Sequence, residues 1–202
     1  MKALHRLTGI VVSVFVLAHL SNHLLAWWGI ETHLETMEQL RKIYRHPLVE
    51  IPLVLAFLFQ AYSGIRLLWV LRGLTSKTAY QRLQFYSGIA LGAFILIHLS
   101  ATFFFRYAFA LDTNFYFAAR VVLQSPDRFF FIPYYFAGIL SFGVHIASVH
   151  RQKMAALDAT TLLNLQFYAI ITVFLLIALE ILFVFTGGRF PIEIPEIYNV
   201  FS

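Results

Sequence analysis

Two histidines occupy matching positions in two apolar stretches of the chain. The first stretch reads TGIVVSVFVLAHL at Thr8–Leu20, and the second reads SGIALGAFILIHL at Ser87–Leu99. In both, the histidine comes eleven residues after the hydroxyl residue. This is about three turns of an α-helix, so the hydroxyl and the imidazole share one face. The spacing therefore predicts that His19 and His98 are equivalent residues of two similar helices.

An imidazole inside a membrane helix is costly and usually faces the interior of a bundle. A single one is explained by an interhelical hydrogen bond, worth roughly 0.6 kcal/mol, but two in matching frames favour shared ligation. Two neutral imidazoles at one depth suit the bis-histidine ligation of a haem iron. Structural zinc takes four nitrogen or sulfur ligands, and the site offers two. The pair His19 and His98 thus predicts a haem-iron site.

The other ionisable groups differ in their depth along the sequence. His145 also lies within an apolar stretch, and His23, one turn after His19, is a candidate substitute ligand. Glu180 lies in the last stretch, where a proton relay, a quinone-pocket acid, a protonated, hydrogen-bonded carboxyl and a carboxyl that faces a polar cavity all stay open. The remaining four histidines lie at or beyond the ends of the apolar stretches, where a solvated imidazole costs little: His5, His33, His46 and His150.

The elements that carry these histidines are apolar runs. Of the 202 residues, 60% are hydrophobic and only 12% are charged, whereas soluble domains average about 25% charged residues. Five runs each exceed the roughly 20 residues that a helix needs to cross a bilayer. We therefore predict an all-α fold, a single integral membrane domain over residues 1–202 with five transmembrane helices at about 7–28, 48–71, 84–109, 129–149 and 163–186.

The first four predicted helices form two similar halves. Besides the matching histidine frames, QAYSGIR at Gln60–Arg66 has the frame of HIASVHR at His145–Arg151, with a polar residue six positions before an arginine. We predict a bundle of two similar helical hairpins followed by a fifth helix. Coincidence is the alternative, because membrane helices share a small alphabet. The connections 31–47 and 72–83 are polar and short, and the 110–128 segment suits the membrane interface.

Charge and composition bound the function further. The chain has no cysteine, which excludes disulfides and thiolate ligands. The net charge of +5 is spread over several loops, which suits anionic lipid headgroups and offers no basic cluster for nucleic acid. A cytoplasmic N-terminus places eight of the 15 Lys and Arg residues on the cytoplasmic side, and we predict that orientation.

The motifs together resemble a known family. HRLTG at His5–Gly9, followed ten residues later by His19, resembles the first helix of the membrane-anchor cytochrome b subunits of succinate dehydrogenases and fumarate reductases, in their five-helix, two-haem form. That form has TG-x9-H in its first and third helices, H-x5-R in the second, and a histidine followed by arginine in the fourth. The resemblance covers about residues 4–187.

The resemblance implies a cofactor and partners. It implies haem b as cofactor and electron transfer between a membrane quinone and partner flavoprotein and iron–sulfur subunits, in a bacterial inner membrane. The chain itself has no flavin or iron–sulfur motif, so the dehydrogenase chemistry would belong to the partners, and no residue of this chain is assigned a catalytic role. The chain would be at most the electron-transfer subunit of an oxidoreductase.

The resemblance also assigns residues. It implies that His19 and His98 ligate the distal haem and that His145 is one ligand of a proximal haem, opposite Gln60. Gln60 departs from the family, which has histidine there, so we expect one haem and leave a second open. The pair His5 and Arg6 matches residues near the haem propionates and the quinone pocket. Gln60, and Lys2 in place of a serine of that pocket, favour an alternative: a haem-free structural or assembly subunit of a membrane complex.

Overall fold

Seven α-helices and two short 3-10 turns make up most of the structure, a computed structural model that describes residues 1–72, 78–157 and 159–199. Five of the helices are long and apolar enough to cross a membrane, as the apolar runs predict. In chain order the helices are α1 (Lys2–Leu25), α2 (Ile30–Tyr44), α3 (Pro47–Arg72), α4 (Ala79–Ala108), α5 (Phe115–Leu123), α6 (Arg128–Lys153) and α7 (Thr160–Phe185), and the membrane-length helices are α1, α3, α4, α6 and α7.

The 31–47 segment connects two of the long helices, as predicted, but most of it is the helix α2, which the sequence did not predict. Its buried residues His33, Met37 and Arg41 recur every fourth position, so they form one stripe along the helix. Glu31 and Glu35 lie outside this stripe and are exposed. The charged face lowers the mean hydropathy of the segment, so the buried stripe does not appear in the sequence as an apolar run.

The five long helices pack in the order of the chain. Helix α1 packs against α3, α3 against α4, α4 against α6, and α6 against α7, while α7 also contacts α1. The helices thus form a closed ring in which α1 and α4 face each other without close backbone contact. The similarity of the two predicted hairpins stays a prediction.

Two glycines of α6 let its neighbours approach closely. A Cβ at Gly138 would overlap the Phe94 ring of α4, and a Cβ at Gly143 would lie 2.5 Å from Cβ of Phe174 on α7. Real Cβ atoms do not come so close, so any larger residue would push the helices apart. These contacts hold α4 and α7 against the two sides of α6.

A cap closes the end of the ring at which α1 ends; we use this name for α2, α5 and residues 186–199. Arg41 of α2, which is 6% exposed, forms an ion pair of 2.8 Å with Asp112, three residues before α5, and so links α2 to the start of the α5 segment. Phe115 of α5 is fully buried beneath it. In the tail, Tyr198 is buried against Tyr116. The 110–128 segment therefore packs on the bundle as a nine-residue helix and its flanking turns.

Candidate functional site

Four imidazoles gather where the cap meets the bundle; we call His19, His23, His33 and His98 the histidine cluster. His19 and His23 are one turn apart on α1, and their Nε2 atoms lie 3.1 Å apart, within hydrogen-bond distance. Nδ1 of His23 lies 3.1 Å from Nε2 of His33 on α2. A hydrogen-bonded chain of three imidazoles thus runs from the interior of the bundle into the cap.

His98 reaches the same cluster from α4. Its ring centroid lies 6.2 Å from that of His19, with an angle of 66° between the two ring planes. The two side chains approach each other across the ring of helices, although their backbones are not in close contact. The sequence-predicted pair is therefore brought together.

The spacing of this pair can be compared with the needs of a shared metal ion. Two imidazole–metal bonds of about 2.0 Å each, together with the radii of the two rings, place the centroids roughly 6 Å apart when the rings approach from opposite sides. The distance between His19 and His98 fits this requirement. However, Nε2 of His19 faces Nε2 of His23, so ligation through that atom requires His23 to give up this contact.

Aromatic rings fix the imidazoles from several sides. Phe15 stacks on His19 at 5.8 Å, and Phe94 stacks on His98 at 5.3 Å, each within 12° of parallel. Each phenylalanine precedes its histidine by four residues, so both pairs lie on one face of their helix. The two helices therefore share a stacked Phe–His pair at matching positions, which is in keeping with the predicted repeat.

His33 is the residue of the cluster that sequence reasoning missed. The expectation of a solvated imidazole is wrong, since its exposure is 1%. Burial, the nearby His19 ring and the charge of Arg41 lower its pKa from 6.5 to about 4. The spacing of His33, Met37 and Arg41 along α2 is the signal that would have placed it on a buried face. His23 was recognised in the sequence only as a substitute ligand.

The polar residues at the opposite end of α1 form a second group, which we call the Gln60 cluster and which consists of His5, Thr8, Gln60 and Ser63. Nε2 of Gln60 donates hydrogen bonds to the backbone oxygen of His5 at 2.6 Å and to Oγ1 of Thr8 at 2.5 Å. Nδ1 of His5 lies 2.7 Å from Oγ of Ser63, which is fully buried. Gln60 therefore ties α3 to α1.

The other residues of the predicted proximal site lie on different helices. His145 of α6 lies 3.3 Å from Oγ of Ser87 on α4 through its Nδ1. A Cβ at Gly88 would lie 3.5 Å from Cε1 of His145, so the small residue leaves room for the ring. Arg6 is exposed, whereas its neighbour His5 turns toward α3. The hydrogen bonds of Gln60 and His145 thus run to separate partners.

Glu180 of α7 lines a shallow groove between α6, α7 and the turn after α1. Both of its carboxylate oxygens are buried and have no hydrogen-bond partner within the described ranges. The groove has a volume of about 940 Å³, and apolar side chains such as Phe136 and Leu179 form most of it. A carboxyl in this place fits a protonated group at least as well as a charged one.

Comparisons of the chain with protein-family models, with curated proteins and with solved structures give no match. The family resemblance therefore depends on the short motifs of the four helices and on their order along the chain.

Proposed function

We propose that the protein is a haem b-binding membrane anchor subunit that passes electrons between a membrane quinone and partner flavoprotein and iron–sulfur subunits. The observation that carries the proposal is the approach of His19 and His98 from two separate helices to 6.2 Å between ring centroids. When bound between two imidazoles, a haem iron supplies reversible one-electron transfer.

The chain's own part in this function is ligation and enclosure. His19 and His98 would hold the iron, and Phe15 and Phe94, stacked on them, restrict the rotation of the two rings. Phe185 of α7 packs against His23 at 5.2 Å and keeps that side of the cluster apolar. A dry surrounding strengthens the electrostatic interactions of a bound iron and contributes to setting its potential.

The proposed location is the bacterial inner membrane, with the N-terminus on the cytoplasmic side. Five apolar helices support a membrane location, and the orientation depends on an excess of one Lys or Arg residue on the cytoplasmic side, eight against seven. In this orientation the cap lies outside, and the Gln60 cluster lies on the side of the proposed flavoprotein and iron–sulfur partners.

The test is a reduced-minus-oxidised spectrum of the purified full chain, expressed with ample haem, together with the haem stoichiometry. We expect a b-type spectrum with one haem per chain, and no b-type spectrum from His19→Ala. The control is His150→Ala, since His150 is bonded to Gln166 on α7 and lies outside the histidine cluster. A wild-type protein without haem, or a His19→Ala protein with full haem content, would contradict the proposal.

The second candidate is a haem-free structural or assembly subunit. Two contacts favour it: Nε2 of His19 already faces His23, and the amide of Gln60 already binds α1. Both polar groups are satisfied by the protein alone. Co-purification with a flavoprotein and an iron–sulfur subunit, without the absorption of a haem, would establish this candidate in place of the first.

A further inference from the structure

His33 brings a residue of the cap into hydrogen-bonding contact with the interior of the bundle. Its ring lies between those of Phe115 on α5 and Phe185 on α7, whose ring centroids are 5.4 and 5.9 Å from that of His33. With 1% exposure it has no room to turn away. Nε2 bonds to His23, while Nδ1 is buried and has no partner within the part of the chain that the structure describes.

The hydrogen bonds of the imidazole chain can run in two directions. A neutral imidazole carries one N–H and one bare nitrogen. If His33 donates from Nε2, then His23 accepts at Nδ1 and donates from Nε2, and His19 accepts at Nε2 and carries its proton on Nδ1. If the direction is reversed, His33 carries its proton on Nδ1, and His19 carries its proton on Nε2.

The burial of His33 distinguishes the two directions. In the reversed direction its N–H points from Nδ1 into apolar surroundings, where the structure offers it no acceptor. A buried N–H without an acceptor is rarer and costlier than an acceptor without a donor. The direction in which His33 donates is therefore favoured, and it leaves a lone pair on Nε2 of His19.

We propose that His33 is a positioning residue, which by donating its Nε2 hydrogen to His23 sets the tautomers of His23 and His19 so that Nε2 of His19 is the bare nitrogen with a lone pair. The tautomers of His19 and His23 are a property of the protein without haem. Only their consequence for iron ligation rests on the proposed function.

The direction of the hydrogen bonds between the three imidazoles has a consequence for the ligation of a metal ion. A nitrogen must present a lone pair to bind a metal ion. In the favoured direction Nε2 of His19 would be available to hold a metal ion once the His23 ring turns away, with no change of tautomer in His19. Groups that orient metal ligands from outside typically contribute about 10- to 100-fold to metal affinity.

The experiment compares three variants of the full chain. His33→Gln keeps an amide donor near His23, His33→Leu removes the donor at similar size, and His46→Leu is the control, because His46 is an exposed histidine just after α2. The first readout is the nitrogen-15 chemical shift of the imidazoles in histidine-labelled protein without haem, because it separates the two tautomers. The second is the affinity for haem.

In the wild type we expect His19 to carry its proton on Nδ1 and His23 on Nε2. We expect His33→Leu to give mixed tautomers and about 10-fold weaker haem binding, whereas His33→Gln and His46→Leu keep the wild-type tautomers and an affinity within about 3-fold of it.

A proton on Nε2 of His19 in the wild type would overturn the proposal. This measurement uses only the wild-type protein, so it does not depend on whether a variant folds. Unchanged tautomers in His33→Leu would overturn it as well. If the wild type binds no haem, the proposed function fails while the nitrogen shifts still decide the role of His33. If haem binds but its affinity is the same in His33→Leu, the function stands and the positioning role fails.

Discussion

The histidine cluster and the Gln60 cluster satisfy buried polar groups in different ways. Near the start of α1, His5 bonds to the hydroxyl of Ser63 and the Gln60 amide bonds to α1, so the polar groups hold two helices together. Below the cap, His23 bonds to imidazoles on both sides. An imidazole exchanges donor and acceptor roles when its proton moves, whereas a primary amide N–H cannot. The frames of the sequence therefore predict where a histidine lies, while its hydrogen-bond partners decide what it can bind.

The largest expected effect separates the two predicted haem sites. We expect His98→Ala to abolish haem binding, because it removes one of the two imidazoles whose ring centroids lie 6.2 Å apart, and His145→Ala to keep one haem per chain, because His145 bonds to Ser87 instead. Haem stoichiometry from the pyridine-complex spectrum measures both. Loss of all haem in His145→Ala, with the haem content of His98→Ala unchanged, would instead place the haem at His145 and not at His98.

The next effect concerns the pH dependence of stability. The pKa of His33 is about 4 in the folded chain against 6.5 as its ordinary value, so the unfolded chain binds more protons between these values. The free energy of unfolding should therefore fall by about 3 kcal/mol as the pH falls from 6.5 to 4. Denaturation in mixed micelles should show a loss that is smaller in His33→Gln than in the wild type by about 3 kcal/mol. Equal pH dependence in both proteins would argue against a neutral, buried His33.

A smaller effect is expected at Gln60. Gln60→Leu removes two hydrogen bonds between α3 and α1, which should lower the free energy of unfolding by about 2 kcal/mol and leave the haem content unchanged. The control is Tyr62→Phe on the exposed face of the same helix. Loss of haem in Gln60→Leu, with stability kept, would instead assign Gln60 to the cofactor site.

The smallest effect is expected at Ser87. Its hydroxyl, 5% exposed, bonds to His145, so Ser87→Ala should lower the free energy of unfolding by about 1 kcal/mol. Ser100→Ala, an exposed serine of the same helix, should change it by less than about 0.5 kcal/mol. A larger loss at Ser100 than at Ser87 would show that the Ser87–His145 bond contributes little.

The five long helices were predictable from sequence because each apolar run exceeds the thickness of a bilayer, a property of consecutive residues. Helix α2 was not found, because its buried residues come only every fourth position among charged ones. The approach of His19 and His98 followed from equal spacing on two helices that run in the same direction. The hydrogen-bond partners of Gln60 and His23 could not be predicted from the sequence. They depend on how far α1 is shifted along α3 and on where α2 folds back.

The order of packing around the ring has a consequence for assembly. As the chain is synthesised, each long helix can pack against the long helix that precedes it. Only the contact between α7 and α1 joins the fifth long helix to the first. Phe185, at the end of α7, covers both His23 and His33. Until the final helix is inserted, that side of the imidazoles stays open to the surrounding lipid. Insertion of α7 would close this side, because it brings Phe185 against both imidazoles.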